Sequence, residues 1–235
     1  MRNTIVRRSV MTASAVSLVL LAAACSSDKP ADKKAEPRAA GSSSAPAAAP
    51  EAKGKTDAEL AKLIVTQADV RDRMFKEVTA AEIAAASTVT SDKPECKVLA
   101  QAQSLGTVGT PTGAARTKVS TPESAGVASL GLTALTLTSY DGKGAEEALA
   151  SVKTAGTACA GGYTVPQAEE KITKVAPGPA VTGVDDTVTL TLSSDDLDTQ
   201  LVVVRKGNTL ATSYTVGLKP ELALDVLDVQ FNKLG

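Results

Sequence analysis

The residues able to do chemistry in this chain are few, and the tightest constraint is a missing one: its 235 residues include no histidine. Ser-His-Asp and Cys-His catalysis are thereby excluded, as is any imidazole-ligated metal. A Ser-Lys dyad is formally open. Ser151 stands two places before Lys153 and Thr90 three before Lys93, but neither has an accompanying motif, and chance spacing accounts for both. Asp185-Asp186 and Asp195-Asp196 could hold Ca²⁺ or act as paired acids. Adjacent residues of an extended chain point to opposite sides, so solvated turns at strand ends are the simpler reading. Glu146-Glu147 and Glu169-Glu170 read as helix-start and loop charges. Arg205 and Lys206 precede a turn and could meet an anion, although such charges commonly serve solubility. Tyr140, Tyr163 and Tyr214 are the only tyrosines. One of them could line a cleft, with core or rim packing the simpler role. The chain is therefore read as non-enzymatic, with no catalytic residue, metal site or cofactor.

Composition points the same way. The chain is 43% hydrophobic with net charge −1, an ordinary globular balance, but only 2% aromatic and without Trp. Its core must be aliphatic. Stacking platforms and a basic groove, the usual parts of a single-strand nucleic-acid site, are both lacking, so no nucleic-acid partner is expected.

Arg2, Arg7 and Arg8 precede an apolar run from Val10 through Leu21, then Ala22-Ala23-Ala24-Cys25. A basic start, a short apolar stretch and small residues before a cut make a secretory signal. The run is shorter than the ~20 residues a membrane span needs. Its end resembles a bacterial lipoprotein lipobox, with Ala22 where that pattern usually has Leu. The resemblance implies that Cys25 becomes the lipid-modified first residue of the mature protein. Acyl chains there would enter the outer leaflet of the cytoplasmic membrane, each buried CH₂ contributing about 0.8 kcal/mol. The expected organisation is thus a signal peptide over residues 1–25, a tether over 26–55 and one folded domain over 56–235. The tether is Ala, Pro, Ser, Gly and Lys with almost nothing to bury; as a flexible coil its ends lie about 30 Å apart.

Stepping through the domain, Thr56-Asp57-Ala58-Glu59 and Thr79-Ala80-Ala81-Glu82 are capping-box patterns that each open a helix. Pro94 opens another, with Cys96, Leu99 and Ala100 on one face. Strands are expected over Ala114–Ser120 and Gly126–Tyr140; in the second, the apolar parity shifts between Leu130/Leu132 and Leu135/Leu137, which predicts a bulge near Thr133-Ala134. Gly144–Gly156 reads as a helix with Ala148, Leu149, Val152 and Ala155 inward, followed by strands near Ile172–Val175 and Val181. Alternating Thr187–Leu192, the unbroken Leu201–Val204 run, the Gly207-Asn208 turn and the return through Leu210, Thr212, Tyr214 and Val216 predict a hairpin at the centre of an antiparallel sheet. The unbroken run predicts a strand covered on both faces. A last helix follows over Glu221–Asn232, with Leu222, Val226 and Val229 inward. The fold class is α+β, helices packed on an antiparallel sheet.

Cys96 and Cys159 remain after Cys25. An even pair in an exported chain reads as a disulfide, here joining two helices. A redox pair would be closer in sequence, and a zinc site needs four ligands.

The domain resembles the PknH-like extracellular sensor domain of actinobacterial receptor kinases and lipoproteins. The pieces that carry the likeness are Leu63–Val70, Pro94-Glu95-Cys96, Cys159 after its helix, and Val203–Ala211. The resemblance implies a helix-flanked antiparallel sheet, a disulfide and a ligand-receiving cleft, although one cysteine pair stands where the kinase sensor has two. It transfers no ligand contacts. The functional expectation is a non-enzymatic ligand-binding or sensing protein held at the cell envelope; the alternatives are a carrier of a lipid or other apolar molecule, or a module docking an envelope protein. If Cys25 is acylated, Cys25→Ala moves the protein from the membrane to the soluble fraction and removes incorporated radiolabelled palmitate. Label retained by the variant would refute the anchor.

Overall fold

The computed structural model describes residues 52–122, 131–181, 184, 186–195, 197–217 and 220–235, with the backbone alone for 220–223. The signal segment, Cys25 and most of the tether lie outside the described residues, as do Asp185, Asp196, the start of the expected Gly126–Tyr140 strand and the side chain of Leu222.

In chain order the elements are α1 (Asp57–Leu63), β1 (Met74–Glu77), α2 (Ala80–Ser87), α3 (Lys97–Gln103), β2 (Gly113–Ser120), β3 (Leu132–Ser139), α4 (Gly144–Ala158), β4 (Tyr163–Val165), β5 (Glu170–Ile172), β6 (Lys174–Pro177), β7 (Asp186–Ser193), β8 (Asp198–Lys206), β9 (Thr209–Val216) and α5 (Pro220–Lys233). Seven strands make one antiparallel sheet in the order β1-β2-β3-β9-β8-β7-β6, and β4 and β5 pair separately. The β8–β9 hairpin lies at the centre of the sheet, turned by Gly207 at φ 58°. A positive φ at the first loop position is the geometry for which hairpins use Gly.

The sheet is covered on both sides because its central strand is apolar at every position of one run. Leu201 and Val203 face a layer made by α3 and α4, where they meet Leu99, Val152, Leu190 and Leu192. Val202 and Val204 face the opposite layer, made by α1 and α5, where they meet Leu60, Leu135, Leu137 and Val226. Alternation on a strand sends neighbours to opposite faces, so a run without alternation needs two covers.

Local chemistry sets the helix starts. Thr56 with Glu59 and Thr79 with Glu82 both form complete capping boxes. A one-turn 3₁₀ segment, Pro94–Cys96, leads into α3, and Cys159 caps α4. The two cysteines are bonded, S–S 2.03 Å, and fully buried, so the staple joins α3 to α4 over one sheet face. On the other face, Gln230 of α5 is buried and engages both ends of its carboxamide: it accepts from the Val65 N–H at 2.8 Å and donates to the Leu63 carbonyl at 3.0 Å. Lys233 donates to the next carbonyl, Ile64, at 3.0 Å. The free carbonyls at the end of α1 thus find their donors in α5.

Three expectations are corrected. No bulge occurs near Thr133-Ala134, because β3 keeps continuous register with β2 and β9 through both residues. Leu132 is 42% exposed on the α3/α4 side, whereas Thr133 is 1% exposed on the other. The Thr133 hydroxyl sits 3.1 Å from that of Thr215. A hydrogen-bonded threonine at a core position imitates a shift of parity. Val181 belongs to no strand. The folded unit also takes in residues 52–55, which composition assigns to the tether. Ala52 and Lys53 accept from Gly142 and Asn208, and Gly54 and Lys55 donate to Asp141 and Ser139. That strap lies so close to β2 that a Cβ at Gly113 would come within 2.5 Å of the Lys55 carbonyl oxygen. No helix among the described residues is long and apolar enough to cross a membrane.

The staple closes a loop between residues 63 apart, so the Cys96→Ala/Cys159→Ala variant should lose about 2–4 kcal/mol of stability in urea. The unreduced native chain should offer neither thiol to a labelling reagent. Labelling without reduction, or an unchanged midpoint, would contradict the assignment.

Candidate functional site

Register builds a largely apolar hollow among the described residues. Lys118, Ala134, Tyr214 and Leu201 form one row across β2, β3, β9 and β8, and Ser120, Leu132 and Val216 form the next. All point to the α3/α4 side. There α4 lies on β9, β8, β7 and β6, and α3 touches β9. Neither packs extensively on β2 or β3. Ala134 is the smallest side chain in its row, so the floor sinks between Lys118 and Tyr214. The walls are Ala85, Ala86 and Val89 from α2 and the residues after it, Leu105 at the end of α3, and Gln167-Ala168 of the turn between β4 and β5. The resulting open groove has a volume of about 380 Å³ and a mainly apolar lining.

Two supports hold its walls. Leu105 has φ 61°, a left-handed conformation that costs a non-glycine residue about 1–3 kcal/mol and persists only where the surroundings impose it. The surroundings here are two hydrogen bonds: Arg116 Nε donates to the Leu105 carbonyl at 2.7 Å, and the Gly106 N–H closes onto Gln101 at 2.8 Å. On the other wall, α2 buries only Ala86. It is tied to the sheet by an ion pair between Glu82 and Lys118, 2.5 Å. The Lys118 hydrogen bond, with the Thr79 backbone and hydroxyl, pulls the Glu82 carboxyl down to about 2.

The inner end is a buried polar chain. Tyr163 Oη donates to Gln103 Oε1 at 2.6 Å, Gln103 Nε2 donates to Glu170 at 2.7 Å, and Tyr214 Oη donates to the same carboxylate at 3.3 Å. Burial pushes the Tyr214 hydroxyl up to about 12, with Glu170 adding to the shift, and burial raises Tyr163 further still. Both stay protonated donors at neutral pH.

A second, polar cleft of about 650 Å³ lies between Gly109-Thr110, the Asp141–Gly144 turn and the first turns of α4. Three of its polar side chains have internal partners: Ser151 donates to the Ala148 carbonyl, Tyr140 to the Val108 carbonyl, and Asp141 accepts from Gly54.

The candidates named from sequence are dispersed. Arg205 pairs with Asp186 at 3.4 Å and donates to the Gly207 carbonyl, while Lys206 lies 4.4 Å over the Phe231 ring. Asp195 is exposed at a turn. No group of three or more metal-ligating side chains occurs among the described residues. Of the tyrosines, Tyr214 lines the groove, Tyr163 supports it, and Tyr140 is core. Glu170 is an acceptor in the polar chain rather than a loop charge. Ala134, Leu132, Leu105 and Gln103 escape sequence reading; the one trace of them is the parity shift at Leu132, which a hollow explains and a bulge does not.

No protein-family model matches the chain, and no curated relative matches it at a significant level. Among solved structures, the chain is similar to the crystal structure of the extracellular domain of PknH from Mycobacterium tuberculosis, with a TM-score of 0.45 and 16% identity over 77% of this chain and 98% of that one.

The tyrosine shift has a checkable sign. A hydroxyl whose folded value is raised contributes stability that is complete below the unfolded value of about 10 and is lost as pH climbs toward 12. Between pH 9 and pH 11.5 the native chain should therefore lose more stability than Tyr214→Phe, as read by urea unfolding. Equal losses would place Tyr214 in water.

Proposed function

We propose that this is a non-enzymatic binding protein, anchored by lipid at Cys25 outside the cytoplasmic membrane, whose groove over β2, β3 and β9 takes an apolar ligand. The observation that carries the reading is the floor of the groove. The stapled helices cover that sheet face over β9, β8, β7 and β6, yet Leu132 is left 42% exposed beside Ala134. Apolar surface gains about 25 cal/mol per Å² on leaving water, so an open apolar hollow on a folded domain favours an occupant. Concave, largely apolar sites with a few fixed polar groups are the usual form of small-molecule sites. Here Tyr214 and Gln103 are the polar groups at one end, held in place by Glu170.

The hollow also has the right scale. At ~30 Å³ per water-sized group, about 380 Å³ accommodates about a dozen such groups, one short chain rather than a bulky lipid. Catalysis has no part in the reading, since the chain has no histidine and the groove presents no nucleophile paired with a base.

Native mass spectrometry of the Cys25→Ala chain, which bears no acyl group of its own, is the direct test. The expected result is a stoichiometric adduct that leaves on activation, absent from Ala134→Phe, whose ring fills the floor while the cooperative thermal transition is retained. An apo mass that stays apo when short-chain amphiphiles are added would sink the proposal.

A further inference from the structure

The groove has a polarity, and it comes from the sheet register. Lys76 of β1 stands directly opposite Lys118 of β2, and Arg116 lies two residues before Lys118 on the same face. Like charges placed opposite one another across a strand pair destabilise it. In this case two carboxylates answer the group: Glu82 pairs with Lys118, and Asp57 lies within electrostatic reach of the Arg116 guanidinium. Lys76 is exposed, and the Arg116 guanidinium is half-buried, one of its five donors engaged by the Leu105 carbonyl. Lys118 thus lines the groove and Lys76 and Arg116 flank it on β1 and β2, three cations against two carboxylates. At the other end, two strands over and about 10 Å away at ordinary strand spacing, Tyr214 donates to the Glu170 carboxylate, so the charge behind that end is negative.

Resting on the groove as a ligand site, we infer that its ligand is a single-chain amphiphile with an anionic head, the chain lying over Ala134 and Leu132 and the head at the Lys76, Arg116 and Lys118 edge. Head-group sign follows from the unequal ends: a cationic head would meet three cations, and an anion placed at Tyr214 would meet Glu170. Length follows from the volume of the hollow, which suits a chain of about a dozen carbons at ~30 Å³ each. Lys118 keeps spare donors for the head while bound to Glu82, because an ammonium has three.

Isothermal titration of the Cys25→Ala chain with four twelve-carbon probes tests this: dodecanoate, dodecyl phosphate, glyceryl monododecanoate and dodecyltrimethylammonium, each below its micellar concentration. Dodecanoate or dodecyl phosphate should bind at least about fivefold more tightly than the neutral and cationic probes, the ratio expected of one half-exposed ion pair. Comparing these two separates a carboxylate from a phosphate head. Lys76→Glu, an exposed change on an edge strand, should weaken the anionic probes about fivefold or more and favour the ammonium, while Ala134→Phe should abolish binding of all four. Equal affinity for all four, or no effect of Lys76→Glu, would overturn the head-group assignment and leave the groove standing. Failure of every probe to bind would overturn the groove as well.

Discussion

Burial of one strand on two sides is the condition on which this structure depends. Leu201 through Val204 send their side chains alternately into two separate apolar layers. A strand so placed admits no slip of register, since a shift by one residue would exchange the two layers' side chains. β8 therefore locks β7 and β9 to itself, β9 locks β3, and β3 locks β2. Every side chain that forms the groove inherits its position from that sequence of pairings. The disulfide and the Gln230 clasp act at a second level: each fixes a helical cover onto a sheet whose geometry is already determined.

The groove is what that packing leaves over. Two helices joined by Cys96–Cys159 cover β9, β8, β7 and β6 on one face, and of the three strands beyond them β3 and β2 have chiefly α2 beside them, which buries a single alanine. A two-turn helix held by a capping box and an ion pair is a thin wall, whereas the opposite wall is firm because Arg116 holds Leu105 in a left-handed conformation. The polar chain from Tyr163 to Tyr214 gives the inner end its rigidity without placing an unpaired polar group there, which a hollow of this kind could not tolerate.

Charges that look alike in the sequence separate into two kinds in the fold. Arg205 and Lys206 are engaged within the chain, by Asp186 and by the Phe231 ring, and offer little to a ligand. Lys76, Arg116 and Lys118 belong to short strands separated by almost 40 residues, and only the β1–β2 pairing gathers them. Adjacency along the chain pointed to the wrong cations because strands bring distant residues together and send adjacent ones apart.

What the sequence by itself determined is the part governed by local chemistry and periodicity: both capping boxes, the Gly207-Asn208 hairpin, the two-sided central strand, the inward stripe of α4 and the cysteine pair. Each is specified within a few residues by backbone geometry or by a repeat of 2 or 3.6, so each was legible. The edge strand β1, the β4–β5 pair, the buried role of Glu170 and the groove itself were decided by tertiary structure. A four-residue strand that exposes most of its side chains carries no hydrophobic signal, and a hollow depends on which small residue faces which gap. Ala134 reads in the chain as one alanine among many; it becomes a floor because Lys118 and Tyr214 flank it and no helix lies above.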